Sequence, residues 1–296
     1  MEENRTFSMN VGLNKNKYSI EVMPKTAAKI EDFSKILPPK TLVYIAHLED
    51  TDITDMRYTC KRLIQENMTP MPHIPARILT SSKELEDWIY QYAILGVERC
   101  LLLAGNNKIP KGSFYNSIQL LKTGLFEKYE YQHINVAGHP EGNSDIDKSG
   151  SLTETLQALK IKHEYSKTTN IKIGITTQFC FDLEPVKNWL NILERENINL
   201  PVSLGIAGPT KLQTLLKYAL ICGVGPSISV LKKRAKDITK LLVPFEPTDI
   251  INQINHQSSS NNFKNVNTLH FFPLGGIEAS ASFAQNYNDN LNSVGG

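Results

Sequence analysis

Short apolar runs alternate with amphipathic stretches along most of this chain, and the alternation repeats about eight times. The runs are rich in Val, Ile, Leu and Tyr, as buried strands are. The stretches between them place apolar residues at helical spacing. Strands are predicted at Tyr18–Pro24, Thr41–Leu48, Met71–Ala76, Arg99–Gly105, His133–Gly138, Ile171–Phe179, Pro201–Ile206 and Thr268–Leu274. The run Arg99-Cys-Leu-Leu-Leu-Ala-Gly105 is apolar without a break, as a strand covered on both faces should be. Helices are predicted over Ala27–Ile36, Asp52–Asn67, Ser81–Gly96, Tyr115–Phe126, Leu152–Ser166, Glu184–Asn197 and Lys211–Cys222. Asp52 or Thr54 and the Ser81-Ser82 pair are the expected N-caps, and Gly96 is an expected stop.

A βα rhythm of this length predicts an α/β fold, a closed (β/α)8 (TIM) barrel with parallel strands. The rhythm breaks once, where Ser227–Leu242 and Thr248–His256 read as additional helices before the eighth strand. Residues 1–16 read as a polar arm, 17–285 as a single barrel domain, and the Asn-rich stretch 286–296 as disordered. Barrels of this kind carry their chemistry at the C-terminal ends of the strands. That rule directs attention to Glu21, His73, Asn106, His139, Gln178 and Gly205–Pro209.

Composition narrows the function classes. Of 296 residues, 41% are hydrophobic and 21% charged, and the formal net charge is +2. Such a balance exerts no general pull toward nucleic acid or membrane. Met1 to Lys15 contain no apolar core of a secretory signal, and no apolar run reaches the roughly 20 residues needed to span a bilayer. A cytoplasmic protein with reduced thiols is expected. Cys60, Cys100, Cys180 and Cys222 are scattered, with no CxxC pair and no His at zinc-finger spacing, so no metal site is expected. Walker, zincin, G-x-S-x-G and strand-linked GxGxxG motifs are all missing from the sequence, which removes support for P-loop, triad and Rossmann chemistry.

Glu21 stands inside an apolar strand. Partial desolvation there is expected to raise its pKa and keep it as a neutral proton donor, while the bland alternative is an ion pair with a neighbour such as Lys25. Gln178 offers a donor and an acceptor suited to the edge of an amide-like heterocycle, and Phe179 and Phe181 offer a stacking face. The competing reading is a polar strand end backed by core aromatics. The basic run Lys232-Lys-Arg-Ala-Lys236 reads as a solvated helix face or, alternatively, a landing site for an anionic group.

In order along the chain, Ser19-Ile-Glu-Val-Met-Pro-Lys-Thr26, Pro72-His-Ile74, Gly96–Gly105, Val136-Ala-Gly-His-Pro-Glu141, Leu159-Lys-Ile-Lys162, Thr177-Gln-Phe-Cys-Phe-Asp182, Val202-Ser-Leu-Gly-Ile206 and Leu269-His-Phe-Phe272 resemble the methylenetetrahydrofolate reductase family. The resemblance covers roughly residues 18–285. It implies interconversion of 5,10-methylenetetrahydrofolate and 5-methyltetrahydrofolate, with hydride from NAD(P)H passed through FAD. It makes Glu21 the acid that opens the folate ring to an iminium. Gln178 becomes the residue holding the pterin, Asn106 and Phe179 further substrate contacts, and His73, Ala137, His139 and Lys162 the cofactor contacts. Members commonly associate into homo-oligomers.

The sequence departs from the family at several points. Its Arg-Gly-Asp is Ala104-Gly105-Asn106 here, its Tyr before Pro-Glu is His139, and a later His is Asn143. The Asp seven residues before Lys162 is Thr155, a strand-end Thr is Ala46, and an aromatic that stacks on folate is Leu212. These departures leave open a flavin-free transfer from nicotinamide to folate, a non-catalytic folate-binding or regulatory barrel, and a methyltransferase using methyltetrahydrofolate.

Overall fold

The computed structural model describes residues 18–148, 151–221, 244–257 and 263–294. The expected arm at 1–16, the basic helix Ser227–Leu242 and the polar loop 258–262 lie outside the described residues. Eight parallel strands close into a barrel in chain order. They are β1 (Tyr18–Val22), β2 (Leu42–Ile45), β3 (Thr69–Pro75), β4 (Arg99–Leu103), β5 (His133–Gly138), β6 (Lys172–Cys180), β7 (Val202–Ala207) and β8 (Val266–Phe272). The helices are α1 (Pro24–Ala27), α2 (Ile53–Gln65), α3 (Ser82–Ala93), α4 (Ser117–Leu121), α5 (Leu125–Lys128), α6 (Thr153–Ser166), α7 (Leu183–Arg195), α8 (Leu212–Ile221), α9 (Thr248–Gln257) and α10 (Ile277–Val294).

Strand parity separates two cores. Tyr18, Ile20 and Val22 face outward into the large apolar layer between strands and helices. Ser19 and Glu21 therefore face the barrel axis. Tyr44, Met71 and Leu101 form a small apolar cluster of their own. β1 and β8 close the barrel with Ser19 opposite His270, and Glu21 lies opposite Tyr44 on β2. β3 carries Pro70 and Pro72 two residues apart, so both missing N–H groups face the same flank, while Met71 and His73 keep their donors toward the other until Pro75 ends the strand.

Capping follows the sequence in the expected places. Asp52 accepts from Thr54 N at 2.6 Å and Ser81 from Glu84 N at 3.2 Å. Three expectations change. Ala27–Ile36 is not one helix but α1 followed by a 3-10 turn at Phe33–Lys35. The guanidinium of Arg62 on α2 binds the carbonyls of Ala27, Ile30 and Glu31, the acceptors that a continuous helix would use internally. Tyr115–Phe126 is split into α4 and α5 because Gly124 takes a left-handed φ of 70° between them. The Asn-rich stretch predicted as disordered continues α10 to Val294. Its buried face at Ile277, Ala281 and Ala284 packs on the barrel, and Tyr287 binds Asn252 and Asn255 of α9.

No helix among the described residues is long and apolar enough to cross a membrane. Cys60, Cys100 and Cys180 are free and buried, and burial pushes all three thiols well above their ordinary pKa.

Candidate functional site at the barrel mouth

Glu21 projects from the end of β1 with 19% of its side chain exposed. Its Oε2 lies 3.2 Å from His73 Nε2 on β3 and 3.9 Å from His270 Nε2 on β8. Both Nε2 atoms approach that oxygen without the alignment of a strong hydrogen bond, and neither has another partner among the described residues. Burial raises the Glu21 pKa, but the charges and hydrogen-bonding groups of His73 and His270 outweigh it and hold the carboxyl down to about 2. This corrects the sequence expectation of a neutral acid. Desolvation was the only effect visible in one strand, and the two counter-groups arrive from β3 and β8.

His270 is fully buried, and its Nδ1 is 2.9 Å from Ser19 Oγ. Its ring packs 4.3 Å from Tyr44 and 4.8 Å from Phe272, centroid to centroid. Burial lowers its pKa, partly offset by Glu21. Beneath these rings the barrel floor is a polar network. Tyr44 OH meets Thr176 Oγ1 at 2.9 Å, and Asn135 Nδ2 donates to both, at 2.9 and 2.7 Å. Asn135 Oδ1 is 2.7 Å from His133 Nε2. Gly174 makes room for it: a Cβ there would sit 2.4 Å from Asn135 Oδ1.

His47, just past β2, stacks on Trp88 at 4.7 Å and bonds the carbonyl of Thr51. Burial lowers its pKa to about 4.

Gln178 stands at an irregularity in β6, where the register with β7 shifts between Thr176 and Phe179. Thr177 fixes that bulge, accepting from Gly205 N and donating to Gln178 O, both at 2.8 Å. Phe179 is only 2% exposed and packs with Ala207, Leu212 and Leu215. It supports the aromatic wall, and the partly buried Phe181 and Phe272 pack around it as that wall's outer members. Asn106 is exposed on the loop after β4.

A second cluster lies between β5 and α6. Ala137 is partly buried on β5, and His139 follows that strand. Burial, with Lys162 opposing a second charge, lowers the His139 pKa to about 4. Lys162 is 6% exposed and has no carboxylate partner among the described residues; burial lowers its pKa to about 8. Asp147 accepts from the backbone N–H groups of Glu154 and Thr155, at 2.9 and 3.1 Å, and from Thr155 Oγ1 at 3.1 Å. It caps α6 from the preceding loop.

Arg77 ties the rim together. It bonds the carbonyls of Tyr115 and Asn107, at 3.0 and 3.2 Å, and Asp145 at 2.6 Å. The loops after β3, β4 and β5 are joined through that one guanidinium. Among the described residues no group of His, Cys, Asp or Glu is arranged to hold a metal ion. A cavity of about 400 Å³ lies between α4 and α6 in the outer helical layer, with Ile118, Leu121, Ile161, Lys162 and Tyr165 in its wall.

No family model matches the sequence. Among solved structures the chain is similar to an uncharacterised protein from Clostridium thermocellum that binds two copies of 5-methyl-5,6,7,8-tetrahydrofolic acid. The TM-score is 0.54 at 13% identity, over 93% of this chain and 96% of that one. The dihydropteroate synthase of Anaplasma phagocytophilum, solved with 6-hydroxymethylpterin-monophosphate, aligns at a TM-score of 0.44 and 12% identity, over 92% of this chain and 99% of that one. At 13% identity the likeness to the Clostridium thermocellum protein shows the barrel fold alone.

The structure brings Glu21 to His73, and His139 to Lys162. Sequence reading did not single out His270, Tyr44, Asn135 or Ser19. A polar residue within the apolar Leu269-His-Phe-Phe272 was the available signal for His270. The closure of β8 onto β1 that gives it a partner is not encoded in either strand alone.

Proposed function

We propose that the protein is a tetrahydrofolate-binding barrel that interconverts 5,10-methylenetetrahydrofolate and 5-methyltetrahydrofolate, with hydride from NAD(P)H. The observation that carries this reading is the ionised carboxylate of Glu21, fixed at the mouth between His73 and His270. Ring opening of the methylene adduct creates a cationic iminium, and a fixed carboxylate in a partly dry site stabilises such a charge. Gln178, set by the β6 bulge, would read the amide-like edge of the pterin. Phe181 and Phe272 would flank it. The ligand of the Clostridium thermocellum barrel is consistent with this substrate class.

FAD is compatible with the second cluster. A buried ammonium without a carboxylate partner suits a phosphoryl group, and Lys162 with His139 would hold it. The flavin would supply two-step hydride transfer. A second reading, direct transfer from nicotinamide, is favoured by His73, which turns toward Glu21 instead of lying free for a flavin ring.

Two measurements test the proposal. Titration with 5-methyltetrahydrofolate should show binding that Gln178→Ala weakens, and reduced nicotinamide with 5,10-methylenetetrahydrofolate should give turnover that Glu21→Gln abolishes. A protein that binds neither folate overturns it. FAD titration, followed by flavin fluorescence, separates the two hydride routes.

A further inference from the structure

We propose that the transferable proton of this site resides on His73 and that Glu21 is its fixed counter-ion, with Ser19 and His270 as positioning residues; this deepens the folate reading and rests on it for the substrate. The geometry separates the two imidazoles around one carboxylate oxygen. His270 is closed on every side. Ser19 occupies its Nδ1, Tyr44 and Phe272 cover its ring, and it has no exposed surface. Its Nε2 stays 3.9 Å from Glu21 Oε2, against 3.2 Å for His73. His73 retains 11% of its side-chain surface, beside a Glu21 that is 19% exposed. Of the pair, only His73 keeps exposed surface beside the carboxylate; its Nε2, on the carboxylate side, is buried, so the ring meets the mouth by its other edge.

An ionised carboxylate between two imidazoles is neutralised when one of them is protonated. Burial among rings makes His270 the poorer place for that charge. The groups facing His73 are Glu21 from β1, Tyr44 and His47 from β2 and the segment after it, and His270 from β8. Leu101 of β4 lies beside it in the sheet and brings no charge. His47 is held neutral by burial and does not compete for the proton. Ser19 is 1% exposed, so the Ser19–His270–Glu21 array is not a nucleophilic triad.

The step balances. The Nδ1–H bond of the His73 imidazolium, on the ring edge away from Glu21, breaks and the proton bonds to N10 of the folate, while Nε2–H stays beside the carboxylate. The bond from N10 to the bridging carbon breaks, its electron pair staying on N10, and the positive charge moves to the N5-methylene iminium. Glu21 remains a carboxylate and faces one cation before and after the transfer. It therefore needs no proton of its own at neutral pH.

The test is ¹⁵N NMR of the histidine-labelled full chain at about pH 7.5, with His73 assigned by its loss in His73→Gln, together with the pH profile of folate turnover. The expected result is an imidazolium at His73 in the wild type that becomes neutral in Glu21→Gln. His73→Gln should lower kcat by about 10²–10⁴-fold, the usual worth of a positioned acid. It should leave 5-methyltetrahydrofolate affinity within a small factor. His270→Gln and Ser19→Ala should shift the pH profile of kcat. His73→Asn substitutes if the Gln variant does not fold.

A neutral His73 at that pH overturns the proposal, as does a His73→Gln enzyme with wild-type kcat and pH profile. Failure of the wild type to bind or turn over folate would instead sink the substrate reading, while the NMR measurement still decides where the proton sits.

Discussion

Tyr44 on β2 and Thr176 on β6 meet hydroxyl to hydroxyl at 2.9 Å, across the interior of the barrel. Most of the barrel's remaining contacts run between neighbouring strands, so this bond braces opposite walls. It also fixes the Tyr44 ring against His270. Burial pushes the Tyr44 phenol up to about 12, so it remains a neutral donor throughout the working range. Tyr44→Phe keeps the ring but leaves Asn135 and Thr176 short of a partner in a dry interior. The expected cost is about 1–3 kcal/mol, the usual penalty for orphaning buried polar groups. Urea unfolding of the variant should show a lower midpoint with an unchanged slope. An unchanged midpoint would mean that water replaces the hydroxyl.

Gly205 is the partner of the β6 bulge. A Cβ at this position would lie 2.5 Å from the carbonyl of Thr177 and 2.6 Å from that of Gln178. Both obstacles are backbone, so Gly205→Ala must move β6 or β7. The predicted loss is about 1–3 kcal/mol of stability, as for other overpacked interiors. Because Gln178 rides on the same bulge, 5-methyltetrahydrofolate affinity should fall more than thermal stability alone explains. Calorimetric titration beside a melting curve separates the two effects, and parallel losses would remove Gln178 from the binding site.

The barrel was legible because a βα period needs only residue order: apolar strands, amphipathic helices and caps such as Asp52 and Ser81 stand in the sequence itself. Glu21 and His73 were legible for a related reason, as polar groups at apolar strand ends. Electrostatics were not. The sign of the Glu21 shift is set first by His73 and then by His270, which come from other strands; His270 lies 249 residues away and becomes a neighbour only when β8 closes on β1. The broken first helix has the same origin, since the competing donor, Arg62, belongs to another element. Asp147 was missed because its role comes from a loop that folds back onto the first turn of α6, not from any spacing along a helix.

That cap has a measurable pH signature. Burial raises the Asp147 pKa, but the bonds from Glu154, Thr155 and Ser151 outweigh it and hold it below its ordinary 3.8. A carboxyl with a depressed folded pKa contributes stability that is present above the unfolded value and lost as the pH falls through the folded one. Asp147→Ala should therefore lower stability at neutral pH by about 0.5–2 kcal/mol, the usual worth of a helix N-cap. The gap to wild type should close as the pH drops below 3.8. Melting curves of both proteins between neutral and acid pH measure this directly, and a gap independent of pH would mean the loss is steric.

Lys162 carries the opposite sign. Burial lowers its pKa from 10.5 to about 8, so the folded state disfavours the ammonium. The cost is fully present below the folded pKa, declines as the pH rises from there, and is gone above the unfolded value. Lys162→Met keeps the length of the side chain and removes the charge. The ligand-free variant should be more stable than wild type at neutral pH, by up to about 3 kcal/mol from the size of the shift. That advantage should shrink above pH 8, through the window between the two pKa values. On the flavin reading, the same substitution should weaken binding of FAD, because the buried ammonium would meet a phosphoryl oxygen. A buried cation kept at a net cost to the fold is the expected mark of a ligand site. If Lys162→Met were stabilised and bound FAD as well as wild type, the anion-binding role of Lys162 would be lost, leaving the barrel mouth around Glu21 as the site to pursue.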